Sequence, residues 1–153
     1  ITITNKGRIM SEENSKPPKS FYWTAGIALA WNLMGMSAYV AQVTMTPDAM
    51  SALPETERML YENVPSWATS AFAIAVTAGT LGCVLLLMRK ALAMPVFIAS
   101  LLGVLAQNYN SFVLMDTMSV LGAVAAIFSA AVTIIGAYLI WFTSDSKKNG
   151  WLS

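Results

Sequence analysis

The chain has 153 residues, of which 56% are hydrophobic and only 11% are charged, and its formal net charge is +1. A soluble domain of this size carries about a quarter charged residues, so the composition argues against an ordinary soluble protein. The mean hydropathy of +0.59 is typical of a membrane protein. A net charge so close to zero gives no indication of binding to nucleic acid.

Residues 1–20 are predicted to be a flexible cytoplasmic tail, because Met10–Ser20 is polar and contains Pro17 and Pro18. Within them, "NKGRIM" can be back-translated to a purine-rich ribosome-binding sequence ahead of a start codon. One hypothesis is therefore that residues 1–9 are not native and that the protein begins at Met10; the alternative is an ordinary basic tail. The tail does not resemble a secretory signal, because the apolar run after it exceeds the 7–15 residues of a signal's apolar region.

Four long uncharged stretches follow, each long enough for the roughly 20 apolar residues that a membrane-spanning helix needs. The predicted spans are Phe21–Thr44, Ser66–Met88, Ala91–Leu114 and Val120–Thr143. The two-residue turn "RK" between the second and third spans makes these two helices neighbours. The sequence therefore predicts an all-α membrane protein, a bundle of four antiparallel transmembrane helices in residues 21–143.

The basic residues predict the orientation, because their excess marks the cytoplasmic side of a membrane protein. Eight of the 9 basic residues lie before the first span, between the second and third spans, or after the fourth. They are Lys6, Arg8, Lys16, Lys19, Arg89, Lys90, Lys147 and Lys148. The opposite side holds Arg58 and most of the acidic residues. Both termini are therefore expected in the cytoplasm, with residues 144–153 as a second tail.

Residues 46–65 form the only long loop, on the predicted outer side. Thr46, Pro47 and Asp48 are typical of a helix start, with a capping hydroxyl and a proline in the first turn. Pro54 and Glu55 begin a second such segment. We expect two short helices there, which form either a lid or an amphipathic connector in the membrane interface.

Small residues recur at four-residue spacing in the spans, and such faces let membrane helices approach closely. The predicted packing residues are Ala71, Ala75, Gly79, Gly103, Ala125 and Ser129. Similar spacing includes Gly26 and Ala30 in the first span, and Pro95 and Ala99 in the third. These faces favour a compact bundle.

Asn32 lies about 16 Å from the start of the first span, near the middle of an apolar core of about 30 Å. An amide at that depth is expected to face protein or water. Thr77 and either Ser129 or Thr133 reach a similar depth, so one alternative is a purely structural hydrogen bond. The other is a role in binding a solute.

A second polar cluster lies in "AQNYNSF", where Gln107 and Asn110 share a helix face and Asn108 points elsewhere. Tyr39, Gln42 and Trp67 reach a similar depth near the outer boundary. Amide groups and aromatic faces suit a small neutral polyhydroxylated solute. The candidate binding residues are Asn32, Tyr39, Gln42, Trp67, Gln107 and Asn110. The alternative is that these amides are simply solvated at the headgroup level.

The sequence offers no support for catalysis. It has no histidine, one cysteine within a span, no metal-ligand spacing and no phosphate-binding loop. We therefore expect no enzyme activity, no cofactor and no metal. The spans also lack the deep charged residues of ion-coupled carriers, so any transport is expected to be facilitated, in a homodimer or larger membrane complex.

The segments "WNLMG", "VTMTPDAMSALPETERMLYE", "PSWATSAFAIAV", "GTLGC" and "AQNYNSF" resemble a group of small bacterial four-span inner-membrane proteins that commonly carry the label "sugar transporter". The resemblance covers about residues 21–151. It implies a multi-pass protein of the bacterial inner membrane that handles sugars, but it assigns no sugar-binding residue. Two functions remain open: a facilitator or binding protein for a small neutral solute, and a non-transporting accessory subunit that packs against a larger membrane partner.

Overall fold

The computed structural model describes residues 16–153, and every regular element in that range is a helix, which confirms the predicted all-α class. The predicted tail over residues 1–15, with the hypothesised start at Met10, lies outside the described residues. The elements are α1 (Lys19–Val43), α2 (Pro47–Ser51), α3 (Glu55–Glu62), α4 (Ser66–Leu87), α5 (Ala93–Tyr109) with a π-helical turn directly after it (Asn110–Leu114), α6 (Thr117–Leu121) and α7 (Ala123–Lys148).

Three of the described helices are long and apolar enough to cross a membrane: α4, α5 with its π-helical turn, and α7. α1 has 25 residues but is not among them. Its apolar sequence is interrupted by Asn32 and Gln42, which lower its mean hydropathy. The helix bounds otherwise follow the predicted spans, except that α7 begins after Gly122, whose φ of 69° ends α6.

The two short helices predicted for the long loop are confirmed as α2 and α3. Thr46 caps α2, because its hydroxyl oxygen accepts a hydrogen bond of 3.2 Å from the backbone N–H of Ala49. α3 begins directly after Pro54 and packs against α6. Asp48, Glu55, Glu57 and Glu62 lie in this loop and Asp116 lies at the start of α6, and we call this part of the chain the acidic end.

α4 is the central helix of the fold, since it packs most extensively against α5 and next against α1, while α7 packs against α5. Burial follows the same order. The buried share of the most apolar stretch of each helix is 39% in α4, 17% in α5 with its π-helical turn and 6% in α7. α7 therefore lies at the periphery of the described chain, with most of its surface uncovered.

The hydrophobic core lies towards the opposite end from the acidic loop. Phe21 at the start of α1 stacks on Phe142 of α7 at 5.7 Å and meets Trp151 at 6.0 Å between ring centroids. Leu86 and Phe97 complete the centre of this core. The surrounding surface carries the basic residues Lys19, Arg89, Lys90, Lys147 and Lys148, and we call it the basic end.

The last residues of the chain are part of this core and not a loose tail. α7 extends to Lys148, beyond the predicted end of the span. After it, the N–H of Ser153 donates to the carbonyl of Arg89 and the N–H of Ala91 donates to the carbonyl of Ser153, both at 2.8 Å. Leu152 is buried between the helices. The segment Trp151–Ser153 therefore fastens the end of α7 to the α4–α5 turn.

Small residues fill the helix contacts, and large apolar residues point outwards. Trp23 is 72% exposed and Val124 75% exposed, whereas Ala75 is only 6% exposed. The predicted packing face of α1 was wrong, and that of α5 was right at Gly103 but wrong at Pro95 and Ala99. Gly26 has nothing within 4 Å of an added β-carbon, Ala30 is exposed, and so are Pro95 and Ala99. The buried residues are Phe21, Ala25 and Ala28 on α1 and Ala93, Phe97 and Gly103 on α5, because four-residue spacing alone does not tell which face of a helix meets its neighbour.

Candidate functional site

Two amide side chains near the end of α5 have oxygens that lack hydrogen-bond donors. Gln107 and Asn110 are three residues apart and lie on one face, as the sequence predicts. Asn110 is 1% exposed. The Oε1 atom of Gln107 and the Oδ1 atom of Asn110 are both buried without a partner among the described residues. Because a buried acceptor left unpaired costs roughly 1–3 kcal/mol, this amide pair is a place where a donor group would bind favourably.

The backbone at Asn110 is unusual as well. The N–H of Met115 donates to the carbonyl of Asn110 at 3.0 Å and closes a π-helical turn over Asn110–Leu114. The side-chain nitrogen of Asn110 lies 3.3 Å from the sulfur of Met115 and donates to it. π-helical turns inside longer helices occur frequently at functional sites. The sequence had no signal for this turn, since its residues are compatible with an ordinary α-helix.

Asn108, between the two members of the amide pair, points to α7 and forms a separate polar group. Its Nδ2 donates to the hydroxyl of Thr133 at 3.0 Å, and its Oδ1 accepts from the hydroxyl of Ser129 at 2.6 Å. One alternative from the sequence placed Ser129 or Thr133 beside Asn32, whereas in the structure both hydroxyls bond to Asn108. Asn108 directly follows Gln107 in the chain and is therefore turned from it by about 100° around the helix axis, towards α7.

Asn32 is a packing residue at the α1–α4 contact. Its Nδ2 donates to the carbonyl of Ala28 at 2.8 Å and to the sulfur of Cys83 at 3.5 Å. A β-carbon at Gly79 would overlap the Asn32 side-chain oxygen. The predicted partner Thr77 is exposed on the far side of α4. The structure therefore gives Asn32 a partner within the helix contact and does not bring it to the amide pair.

The remaining candidate binding residues lie on α1 and α4. Tyr39 packs edge-to-face on Phe72 of α4, with ring centroids 5.4 Å apart. Gln42 is half-buried near the end of α1. Trp67 is 45% exposed in the first turn of α4. No hydrogen bond or ring contact in the described chain joins these three side chains to Gln107 or Asn110.

The predicted packing residues lie where helices touch, with one distinction. Ala71, Ala75 and Gly79 are buried on α4, and Gly103 is buried on α5. The hydroxyl of Ser100 crosses the same contact and donates to the carbonyl of Ala75 at 2.6 Å. The α7 positions differ, because Ala125 is only half-buried and Ser129 uses its hydroxyl on Asn108.

An open groove of about 390 Å³ runs along α7 beside Asn108. Its lining combines the polar side chains of Asn108, Ser129 and Thr133 with apolar and small residues. Neither this groove nor the other pronounced one, at the start of α1, includes the amide pair. Within residues 16–153 no group of three or more histidine, cysteine or acidic side chains could hold a metal ion.

No protein-family model matches the chain, and no curated protein and no solved structure is similar to it. The resemblance to the four-span proteins labelled sugar transporters therefore stays a prediction.

Proposed function

We propose that this protein is a multi-pass protein of the bacterial inner membrane, an antiparallel bundle of four spans with both termini in the cytoplasm. Three apolar helices of sufficient length support the proposal. So do the large exposed side chains, since contiguous apolar surface on a protein marks a membrane or partner contact. The segregation of charge into a basic and an acidic end supports the orientation, with the basic end cytoplasmic.

α1 is the fourth span of this proposal. Its 25 residues extend about 37 Å, more than a hydrocarbon core of about 30 Å. Asn32 in the middle of α1 touches Cys83, whereas Tyr39, later in α1, touches Phe72, earlier in α4. This reversed order is what antiparallel neighbours produce. The polar atoms of Asn32 face α4, which is how a polar helix is accommodated in lipid.

Within that bundle, the amide pair Gln107 and Asn110 binds a small neutral solute that donates hydrogen bonds, and the protein lets the solute equilibrate across the membrane. The observation that carries this function is the pair of buried oxygens without donors. A sugar-like solute offers hydroxyl donors to both. Because the predicted spans lack charged residues at depth, the solute's own gradient drives movement. A single chain encloses little volume, so the path forms in a dimer or larger assembly.

Solute entry into proteoliposomes tests this function, with a panel of sugars and polyols and the double variant Gln107→Leu/Asn110→Leu. We expect entry of one solute class that the double variant loses. Asn108→Leu is the matched control, because it removes an amide from the same helix turn but not from the pair. Equal loss in both variants, or no entry above protein-free vesicles for folded protein, would contradict the proposal.

The second candidate is an accessory subunit that packs against a larger membrane partner or a second copy. One observation favours it: only 6% of the most apolar stretch of α7 is buried, and its groove contains the polar group around Asn108. In lipid such polar groups are stabilised by a neighbouring helix. Under this function Asn108→Leu reduces the mass of the complex purified from native membranes, whereas the double variant of the amide pair leaves it unchanged.

A further inference from the structure

The first turns of α1 form a groove of about 300 Å³ that is lined by Lys19, Tyr22 and Trp23. The three residues are spaced three and four apart and therefore share one helix face. Trp23 is 72% and Tyr22 43% exposed. No acidic residue lies in the first turn of α1, and no ion pair engages Lys19 in the described part of the chain. The groove is thus a positive site with two uncovered aromatic walls.

The surface around this groove adds to its positive charge. Arg89, Lys90, Lys147 and Lys148 lie at the same basic end, brought there by the contacts of Phe21 and Arg89 with Trp151. Of the described acidic residues, Asp145 lies at the basic end, and its carboxylate accepts a hydrogen bond of 3.2 Å from Asn149. The remaining described acidic residues belong to the acidic end. Within residues 16–153, no acidic side chain lines the groove itself.

Below the groove, the same face of α1 carries small residues that no other helix of the described chain covers. Gly26 lies four residues after Tyr22, with nothing within 4 Å of an added β-carbon. Ala30 follows after another turn and is exposed, and Ile27 beside it is 66% exposed. This uncovered strip of small residues, with the exposed side chains of Trp23 and Ile27 beside it, leads from the positive groove along the apolar part of α1, and we call it the slot.

We propose that this face of α1 binds one anionic phospholipid, with its phosphate at Lys19 and one acyl chain along Gly26 and Ala30. The proposal rests on the membrane topology under Proposed function. Charge complementarity selects the headgroup, since basic pockets on the cytoplasmic side of membrane proteins bind anionic headgroups. Tyr22 and Trp23 suit the boundary between headgroup and chain, because their rings are apolar and carry one polar atom.

Native mass spectrometry of the full chain in a non-ionic detergent tests the site. The probes are dioleoyl phosphatidylglycerol, dioleoyl phosphatidylcholine with the same chains, and glycerol 3-phosphate as a free anion. We expect phosphatidylglycerol to bind more tightly than phosphatidylcholine, and Lys19→Ala to weaken it about fivefold. Lys148→Ala removes the same charge from the same end but not from the groove, so we expect it to weaken binding clearly less than Lys19→Ala does.

Gly26→Leu tests the slot without changing any charge, and we expect it to weaken binding of phosphatidylglycerol while the melting temperature is kept. Equal affinity for the two lipids, an equal effect of Lys148→Ala, or displacement of the lipid by equimolar glycerol 3-phosphate would overturn the proposal. Alkaline carbonate extraction separates this failure from that of the topology. A chain that carbonate releases from membranes does not span them, whereas a retained chain without lipid discrimination lacks only the lipid site.

Discussion

A β-carbon on Gly103 of α5 would lie 2.7 Å from the carbonyl oxygen of Ala71 on α4. It would also lie 2.9 Å from the backbone nitrogen of Ala75. Both atoms belong to the backbone of α4, so no side-chain movement can make room for the β-carbon. α4 and α5 therefore touch main chain to main chain, which is the closest contact that two helices can form and requires glycine at residue 103.

We expect Gly103→Ala to lower the free energy of unfolding by about 1–3 kcal/mol, the usual cost of overpacking. Thermal unfolding of the purified chain in detergent, followed by circular dichroism, measures it. Gly26→Ala is the matched control. It has open space around it, and alanine favours a helix over glycine by up to about 1 kcal/mol, so its stability should be unchanged or higher. Equal destabilisation by both substitutions would show that the close contact does not matter.

The contact between Gly79 and Asn32 predicts a coupling between the two positions. Gly79→Ala is expected to destabilise the protein, because its β-carbon overlaps the Asn32 side-chain oxygen. In an Asn32→Ala background only the hydroxyl oxygen of Ser100, 3.1 Å from that β-carbon, stays close, so the same substitution should cost less. A double-mutant cycle in thermal unfolding measures the difference, which we expect at about 0.5–3 kcal/mol. Additive effects would mean that Asn32 moves away at no cost.

The amides of α5 are expected to differ in stability and in function. Asn108→Ala removes two hydrogen bonds to α7 and should lower the free energy of unfolding by about 1 kcal/mol, since such bonds between membrane helices average about 0.6 kcal/mol each. Asn110→Leu removes an oxygen without a partner together with the hydrogen bond from its nitrogen to the weakly accepting sulfur of Met115, so stability should change little. Urea or thermal unfolding of both variants checks this. A large loss with Asn110→Leu would indicate that its oxygen has a partner in the native bundle.

The docked end of the chain predicts a stabilising role for Leu152. Its side chain is 9% exposed in the core at the basic end. We expect Leu152→Ala to cost about 2 kcal/mol, within the range for shortening a buried leucine. Lys148→Ala, on the exposed surface one turn before, should cost almost nothing. Protease cleavage of residues 144–153 at equal rates in the two variants and the parent would instead indicate a loose tail.

Several local features could be predicted from the residues because they depend only on near neighbours in the chain. The capping hydroxyl of Thr46 and the proline at residue 47 predict α2, and the structure has it there. The shared face of Gln107 and Asn110 follows from their spacing alone. What spacing could not supply was the direction of that face relative to α4 and α7. For this reason Asn108 was set aside, and the packing faces around Gly26 and Pro95 were wrong.

The sequence by itself determined the helical class, three of the four predicted apolar spans, the short helices of the loop and the separation of basic from acidic segments. These are properties of composition and of contacts within a few residues. Only the tertiary structure decided that Asn32 meets Cys83, that Asn108 meets Ser129 and Thr133, that the amide oxygens of Gln107 and Asn110 lack donors and that Trp151–Ser153 docks on the α4–α5 turn. Each depends on how far a helix is rotated about its axis. In an Ala- and Gly-rich helix almost every face is apolar enough to pack, so the rotation is chosen by the fit of side chains from distant parts of the chain.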